Sequence, residues 1–151
     1  MYKSTKTYGT EVGISCAFRQ WKATHSHCSD LHGYALGFKF TFSSEELDAK
    51  NWVVDFGGLK GLKQTLLDTF DHKTVVAEDD PNLEDFKKLE SLGVLKLTIL
   101  PSVGCEKFAE HAYFIAKQWL DANNLSDRVS VESVEVFEHG ANSAIYTEVS
   151  K

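Results

Sequence analysis

Three of the six histidines and one of the three cysteines fall within His25-Ser-His27-Cys28-Ser-Asp-Leu-His32. Residues two apart in an extended chain point the same way, which places His25 and His27 to chelate one ion together. Imidazole is a common zinc ligand, and three protein donors with an open fourth position make a catalytic site. His25, His27 and His32 are therefore the candidate ligands of a Zn2+ ion. Gly33, beside His32, permits a sharp turn or close backbone packing. Cys28 suits several roles: a further zinc ligand, a nucleophile, an acid–base thiolate whose pKa a nearby cation lowers, or an inert thiol. A solvated polar loop is the alternative for the whole segment.

Two further constellations carry chemistry. In Phe70-Asp71-His72 a carboxylate stands beside an imidazole that it can orient and make more basic; a histidine at a helix end is also simply favourable electrostatics. In Val134-Glu-Val-Phe-Glu138-His139, alternation puts Glu138 on the face of Val134 and Val136. A carboxylate there either ends the strand or receives N–H donors from a ligand. Cys16 reads as a core residue, and Cys105, opening a helix, as core or cap.

The elements that must position these groups follow from periodicity. Tyr34, Leu36, Phe38, Phe40 and Phe42 share one face of a strand. Val12, Ile14, Cys16 and Phe18 repeat that spacing in a strand over 7–19, predicted to pair antiparallel with the first. Leu59, Leu62, Leu66, Leu67 and Phe70 step by threes and fours, predicting an amphipathic helix over 57–70 with Asp55 at its N-terminus. A weaker helix is predicted from Pro81 to Leu92 and a short strand over 94–100. A third helix over 105–123 carries Phe108, Ala112, Ile115 and Trp119 on one face. Strands over 129–138 and 143–149 complete the order. Strands at both ends with helices between predict an α+β chain, an antiparallel sheet with helices on one face.

Length and composition narrow the class. The 151 residues suit one domain spanning 1–151, since domains run to about 100–200 residues. A net charge of −6 without a long Lys/Arg run argues against nucleic-acid binding. No apolar run approaches the roughly 18 residues needed to cross a bilayer. The odd cysteine count, with no signal-peptide-like N-terminus, predicts free thiols and a cytoplasmic location.

Taken together, these residues resemble the 6-pyruvoyl-tetrahydropterin synthase / 6-carboxytetrahydropterin synthase family. The motifs that carry the resemblance are, in order, Cys28-Ser-Asp-Leu31-His32-Gly33-Tyr34, Val54-Asp55-Phe56-Gly-Gly-Leu59-Lys60, Phe70-Asp71-His72, Pro101-Ser-Val-Gly-Cys105-Glu106 and Val136-Phe137-Glu138. The match leaves an insertion-like stretch over 78–97. The resemblance implies the tunnelling fold, with a four-stranded antiparallel sheet and helices on one face, assembled into trimers or hexamers with active sites between subunits. It implies 7,8-dihydroneopterin triphosphate as substrate, zinc as a Lewis acid on the substrate's side-chain hydroxyls, Cys28 as the acid–base thiolate and Asp71–His72 as its partner dyad. Glu138 is implied to bind the pterin's amino and ring N–H edge, with Glu106 assisting. The Cys28-to-His32 spacing is typical of the members that form 6-carboxytetrahydropterin and acetaldehyde on the queuosine route. The 6-pyruvoyl synthase and a non-catalytic pterin-binding protein are the alternatives.

The chain also departs from that family. Where the resemblance leads to His-Gly-His, this chain reads His32-Gly33-Tyr34, and Lys22 stands at the first expected ligand. Rebuilding the zinc site from His25, His27 and His32 is the expectation this leaves.

Overall fold

The computed structural model describes residues 1–149. A long strand, β3 (His32–Ser44), forms its spine. The N-terminal half of β3 pairs antiparallel with β2 (Ile14–Phe18), and its C-terminal half pairs antiparallel with β1 (Tyr2–Tyr8). Its other edge takes β6 (Ser130–His139), which continues into β7 (Asn142–Tyr146). Beyond β2 lie β4 (Lys73–Ala77) and β5 (Leu97–Leu100), both in parallel pairings.

The α+β class stands, but the expected four-stranded antiparallel sheet is corrected to a mixed sheet of seven strands. Two physical causes account for the difference. The strand expected over 7–19 is broken, because residues 10–12 form a 3-10 turn and Gly13 takes φ +77°, a region that favours glycine. The chain thus loops out opposite Gly37, and Tyr8 and Ile14 fall against Phe38 and Leu36 in β3. The second cause is β4, whose Thr74-Val-Val-Ala77 is buried throughout. A strand covered on both faces lacks alternation, as is usual in parallel pairings.

Among the described residues three α-helices accompany the sheet: α1 (Lys60–Phe70), α2 (Leu83–Ser91) and α3 (Cys105–Ala122). Asp55 opens the first with a 3-10 turn over 56–59, its side chain accepting from Gly57 N at 2.9 Å. That cap satisfies a donor the helix start would otherwise leave unpaired. The predicted apolar faces are largely the ones buried, with Val12 the exception, exposed in the 3-10 turn. Leu36, Phe38, Phe40 and Phe42 of β3 are fully covered, as are Leu62, Leu66 and Phe70 of α1 and Phe108 and Ala112 of α3. The Phe70 ring bridges Phe38 and Phe108 at centroid distances of 5.2 Å to each. Each such side chain contributes roughly 1.5–3 kcal/mol on burial, so this seam holds the helices to the sheet and holds the ends of β2 and β3 in place.

Candidate active site

A hollow of about 480 Å³ opens where β2 ends and β3 begins, beside the start of α3 and the β6–β7 hairpin. Cys28, His32, Tyr34, Cys105, Glu106 and Glu138 all face it. Each is delivered by a local feature of the chain.

Glu138 sits at an irregularity. The β6–β7 register steps from Phe137 opposite Ser143 to His139 opposite Asn142, so Glu138 has no partner across the ladder. Bulges of this kind re-aim a side chain. The half-buried carboxylate accepts from the Cys105 thiol at 3.8 Å and from Asn142 Nδ2 at 3.4 Å. Burial, reinforced by the charges of Glu138 and Glu106, pushes the Cys105 thiol up to about 12, so it stays protonated as a donor to Glu138. Gly104 begins α3 at φ +116°, and a Cβ there would collide with Gln20 Nε2, which donates to Val103 O at 2.9 Å. The positive φ is what favours glycine here, since the Gln20 side chain could swing aside.

Cys28 rides on a succession of tight turns. Ala23 N donates to Gln20 O, Ser26 N to Ala23 O, and residues 27–29 form a 3-10 turn capped by the Ser26 hydroxyl. The loop is tied down from outside. Gln20 N donates to Cys28 O at 2.7 Å. Arg19 makes a bidentate pair with Asp80 at 2.9 and 2.7 Å, and its remaining nitrogen reaches Ser29 O at 3.4 Å. The Asp80 side chain is only 1 % exposed, and Arg19 holds its carboxyl below the usual carboxylate range. Trp21 and Lys22 both reach Asp79. The insertion-like stretch beginning at residue 78 thus clamps the Cys28 loop, a role its sequence did not signal.

His32 turns its Nδ1 to Asp30 O at 2.6 Å and its Nε2 to the Tyr34 hydroxyl at 3.1 Å. Burial, with the Glu138 charge nearby, pushes the Tyr34 phenol up, which keeps its proton on oxygen. The expected metal set does not assemble in the chain: His25 and His27 are exposed and do not line the hollow that His32 faces, and His27 pairs with Asp30 at 3.4 Å. Among the described residues, no three His, Cys, Asp or Glu side chains come together to hold a metal ion. The physical reason is the turns over 20–29, because residues two apart share a direction only where the chain is extended. These donors do not fit a three-ligand zinc site.

Asp71 and His72 lie elsewhere, in a second hollow of about 460 Å³ with Gln64, Asp68, Lys73 and Lys96. Asp71 Oδ1 accepts from Ser15 N at 3.0 Å, His72 N donates to Ser15 O at 2.7 Å, and His72 Nδ1 stands 3.0 Å from Asp71 Oδ1. The pair is therefore riveted to β2. His72 takes φ +58° with a ring 82 % exposed, a conformation that costs a non-glycine residue about 1–3 kcal/mol.

A sequence model of the 6-pyruvoyl tetrahydropterin synthase family matches residues 9–149. The chain belongs to that family. It is 28 % identical over 152 residues to the 6-carboxy-5,6,7,8-tetrahydropterin synthase of Aquifex aeolicus (strain VF5), covering 98 % of this chain and 90 % of the relative. Among solved structures, an uncharacterized Wolinella succinogenes protein superposes with a TM-score of 0.78 at 19 % identity, covering 98 % of both chains. The 6-pyruvoyl tetrahydropterin synthase of Plasmodium falciparum superposes with a TM-score of 0.71 at 14 % identity, covering 98 % of this chain and 99 % of that one. The fold is thus the tunnelling fold of this family. Tyr34, Cys105, Gln20 and Asn142 are pocket residues that the motif reading left out of the site. The alternation of β3 already aimed Tyr34 with Leu36 and Phe38, and Cys105 neighbours Glu106 at the head of α3. No sequence signal pointed to Gln20 or Asn142.

Proposed function

We propose that this chain is a pterin lyase that converts 7,8-dihydroneopterin triphosphate to 6-carboxytetrahydropterin, releasing acetaldehyde and triphosphate, on the 7-deazaguanine route to queuosine. The observation that carries the proposal is Glu138, a carboxylate re-aimed by a bulge into the hollow that also holds Cys28. A carboxylate is the complement of adjacent N–H donors such as those along a pterin edge. With the ring held there, its side chain extends toward Cys28, His32 and Tyr34. Cys28 is the exposed thiol of the three free cysteines, and it is the group placed to take and return a carbon-bound proton. Glu106 adds a second acceptor at the pocket wall. The name of the Aquifex relative supports the 6-carboxy product over the 6-pyruvoyl one.

The Asp71–His72 dyad opens on a different hollow from Cys28, so one chain does not bring the two acid–base groups together. We assign their meeting to a neighbouring copy in a trimer or hexamer. Free thiols throughout fit a cytoplasmic setting; no helix among the described residues is long and apolar enough to cross a membrane. Zinc belongs to the expected chemistry, but the described residues of this chain do not present three donors for it.

Incubation with 7,8-dihydroneopterin triphosphate tests the proposal. The expected products are acetaldehyde and the 6-carboxy pterin, and a 6-pyruvoyl product moves the chain to the sister reaction. A second reading, pterin binding without turnover, draws support from the missing three-donor set. Tight binding with unchanged substrate decides for it.

A further inference from the structure

We propose that Tyr34 and His32 form a metal-free hydrogen-bonded pair that grips a hydroxyl of the ligand's side chain. The proposal deepens the pterin reading above and rests on it for the identity of the ligand.

The ring of His32 is held at both of its nitrogens. Its Nδ1 lies 2.6 Å from Asp30 O, an acceptor with no proton to give, so Nδ1 carries the hydrogen and Nε2 carries the lone pair. A metal ion would need that lone pair. It is already taken, because the Tyr34 hydroxyl stands 3.1 Å away and donates to it. Moving the phenol aside is opposed by packing. The Tyr34 ring lies 5.8 Å from the buried Phe18 ring, 5.1 Å from His32 in an edge-on arrangement and 6.5 Å from His139.

Other donors do not complete a metal set among the described residues. His25 and His27 are not among the residues that line the hollow, and Lys22 is occupied at the surface with Asp79 at 3.4 Å and the face of Trp21. What remains is a polar pair with spare capacity of a different kind. A phenol that spends its proton on His32 still offers oxygen lone pairs, and Tyr34 faces the same hollow as Cys28 and Glu138. The complementary group is an alcohol that donates to Tyr34 while its carbon chain leads back to a ring held at Glu138. A hydroxylated side chain on a pterin has that shape.

Two measurements on the purified full-length protein test this. After incubation with excess zinc and desalting, we expect fewer than about 0.1 zinc per chain, a level that excludes both closed four-ligand sites and open three-donor sites. Retention of one zinc per chain overturns the metal-free pair. In parallel, binding of neopterin and of unsubstituted pterin is followed by fluorescence in wild type and Tyr34→Phe. Removing one buried hydrogen bond to an alcohol predicts about tenfold weaker neopterin binding, with pterin binding unchanged and the melting temperature retained. Equal loss for both ligands, or for neither, overturns the hydroxyl contact. If wild type binds neither ligand, the pterin reading falls together with the hydroxyl contact. The zinc measurement then still decides whether the pair is metal-free.

Discussion

The hollow around Cys28 draws on β2, β3, the head of α3 and the β6–β7 hairpin, whereas Asp71 and His72 are chain neighbours pinned to a single strand. Within the hollow the polar groups answer one another: Glu138 has Cys105 and Asn142, and His32 has Asp30 and Tyr34. The His72 ring has Asp71 and otherwise faces out, on a left-handed backbone. The first region is pre-organised by tertiary contacts, and its loop is stiffened further by the Arg19–Asp80 clamp. The second is a local device held in tension and presented outward, which suits a group that acts on something beyond its own chain.

If the two regions serve one reaction across a subunit boundary, Cys28→Ala and His72→Ala should each lower turnover by about 10²–10⁴, the worth of an acid–base group. Co-assembly of the two variants should restore part of the activity, because some boundaries then pair an intact Cys28 with an intact His72. Full activity in either variant, or no recovery in the mixture, breaks the link between the regions.

A smaller effect separates their means of support. Asp80→Ala removes the carboxylate from Arg19, leaving it only Ser29 O and Asn82 Oδ1, and should cost about 3 kcal/mol in denaturant unfolding, with a changed rate of Cys28 alkylation. The pH dependence has a definite sign. The Asp80 carboxyl is depressed in the folded chain, so its contribution is present above the unfolded carboxylate value of about 4 and is lost as pH falls through the lower folded value. Asp80→Asn should therefore narrow its stability gap to wild type in acid. An unchanged gap between pH 7 and pH 3 would remove the clamp from the account.

The smallest effect concerns the strained corner. His72→Gly relieves a positive φ at the cost of added unfolded-state freedom, so a net gain of up to about 1 kcal/mol is expected by thermal unfolding. A loss of more than that would show that the His72 ring itself stabilises the fold.

Much of this organisation was legible in the residues. The alternation over Tyr34–Phe42 and the three-four spacing over Leu59–Phe70 identified the central strand, the first helix and the faces they bury. The ordered motifs named Cys28, His32, Glu106 and Glu138, which share one hollow although up to 110 positions separate them. What escaped had weaker signals for physical reasons. Tyr2–Tyr8 is mostly exposed and polar, and Lys73–Ala77 is buried without alternation. His25 and His27 shared a direction only under the assumption of an extended chain, and three successive turns remove it.

The sequence by itself determined the class of the fold, the buried faces and several of the side chains that line the hollow, because periodicity and residue chemistry are local properties written along the chain. Tertiary structure alone decided which of those groups meet. Whether His32 offers its lone pair to a metal or to Tyr34, and whether Cys28 faces His72 or a different wall, depends on turns, bulges and clamps that join distant segments. Such contacts have no period, and so they leave no pattern for a one-dimensional reading to find.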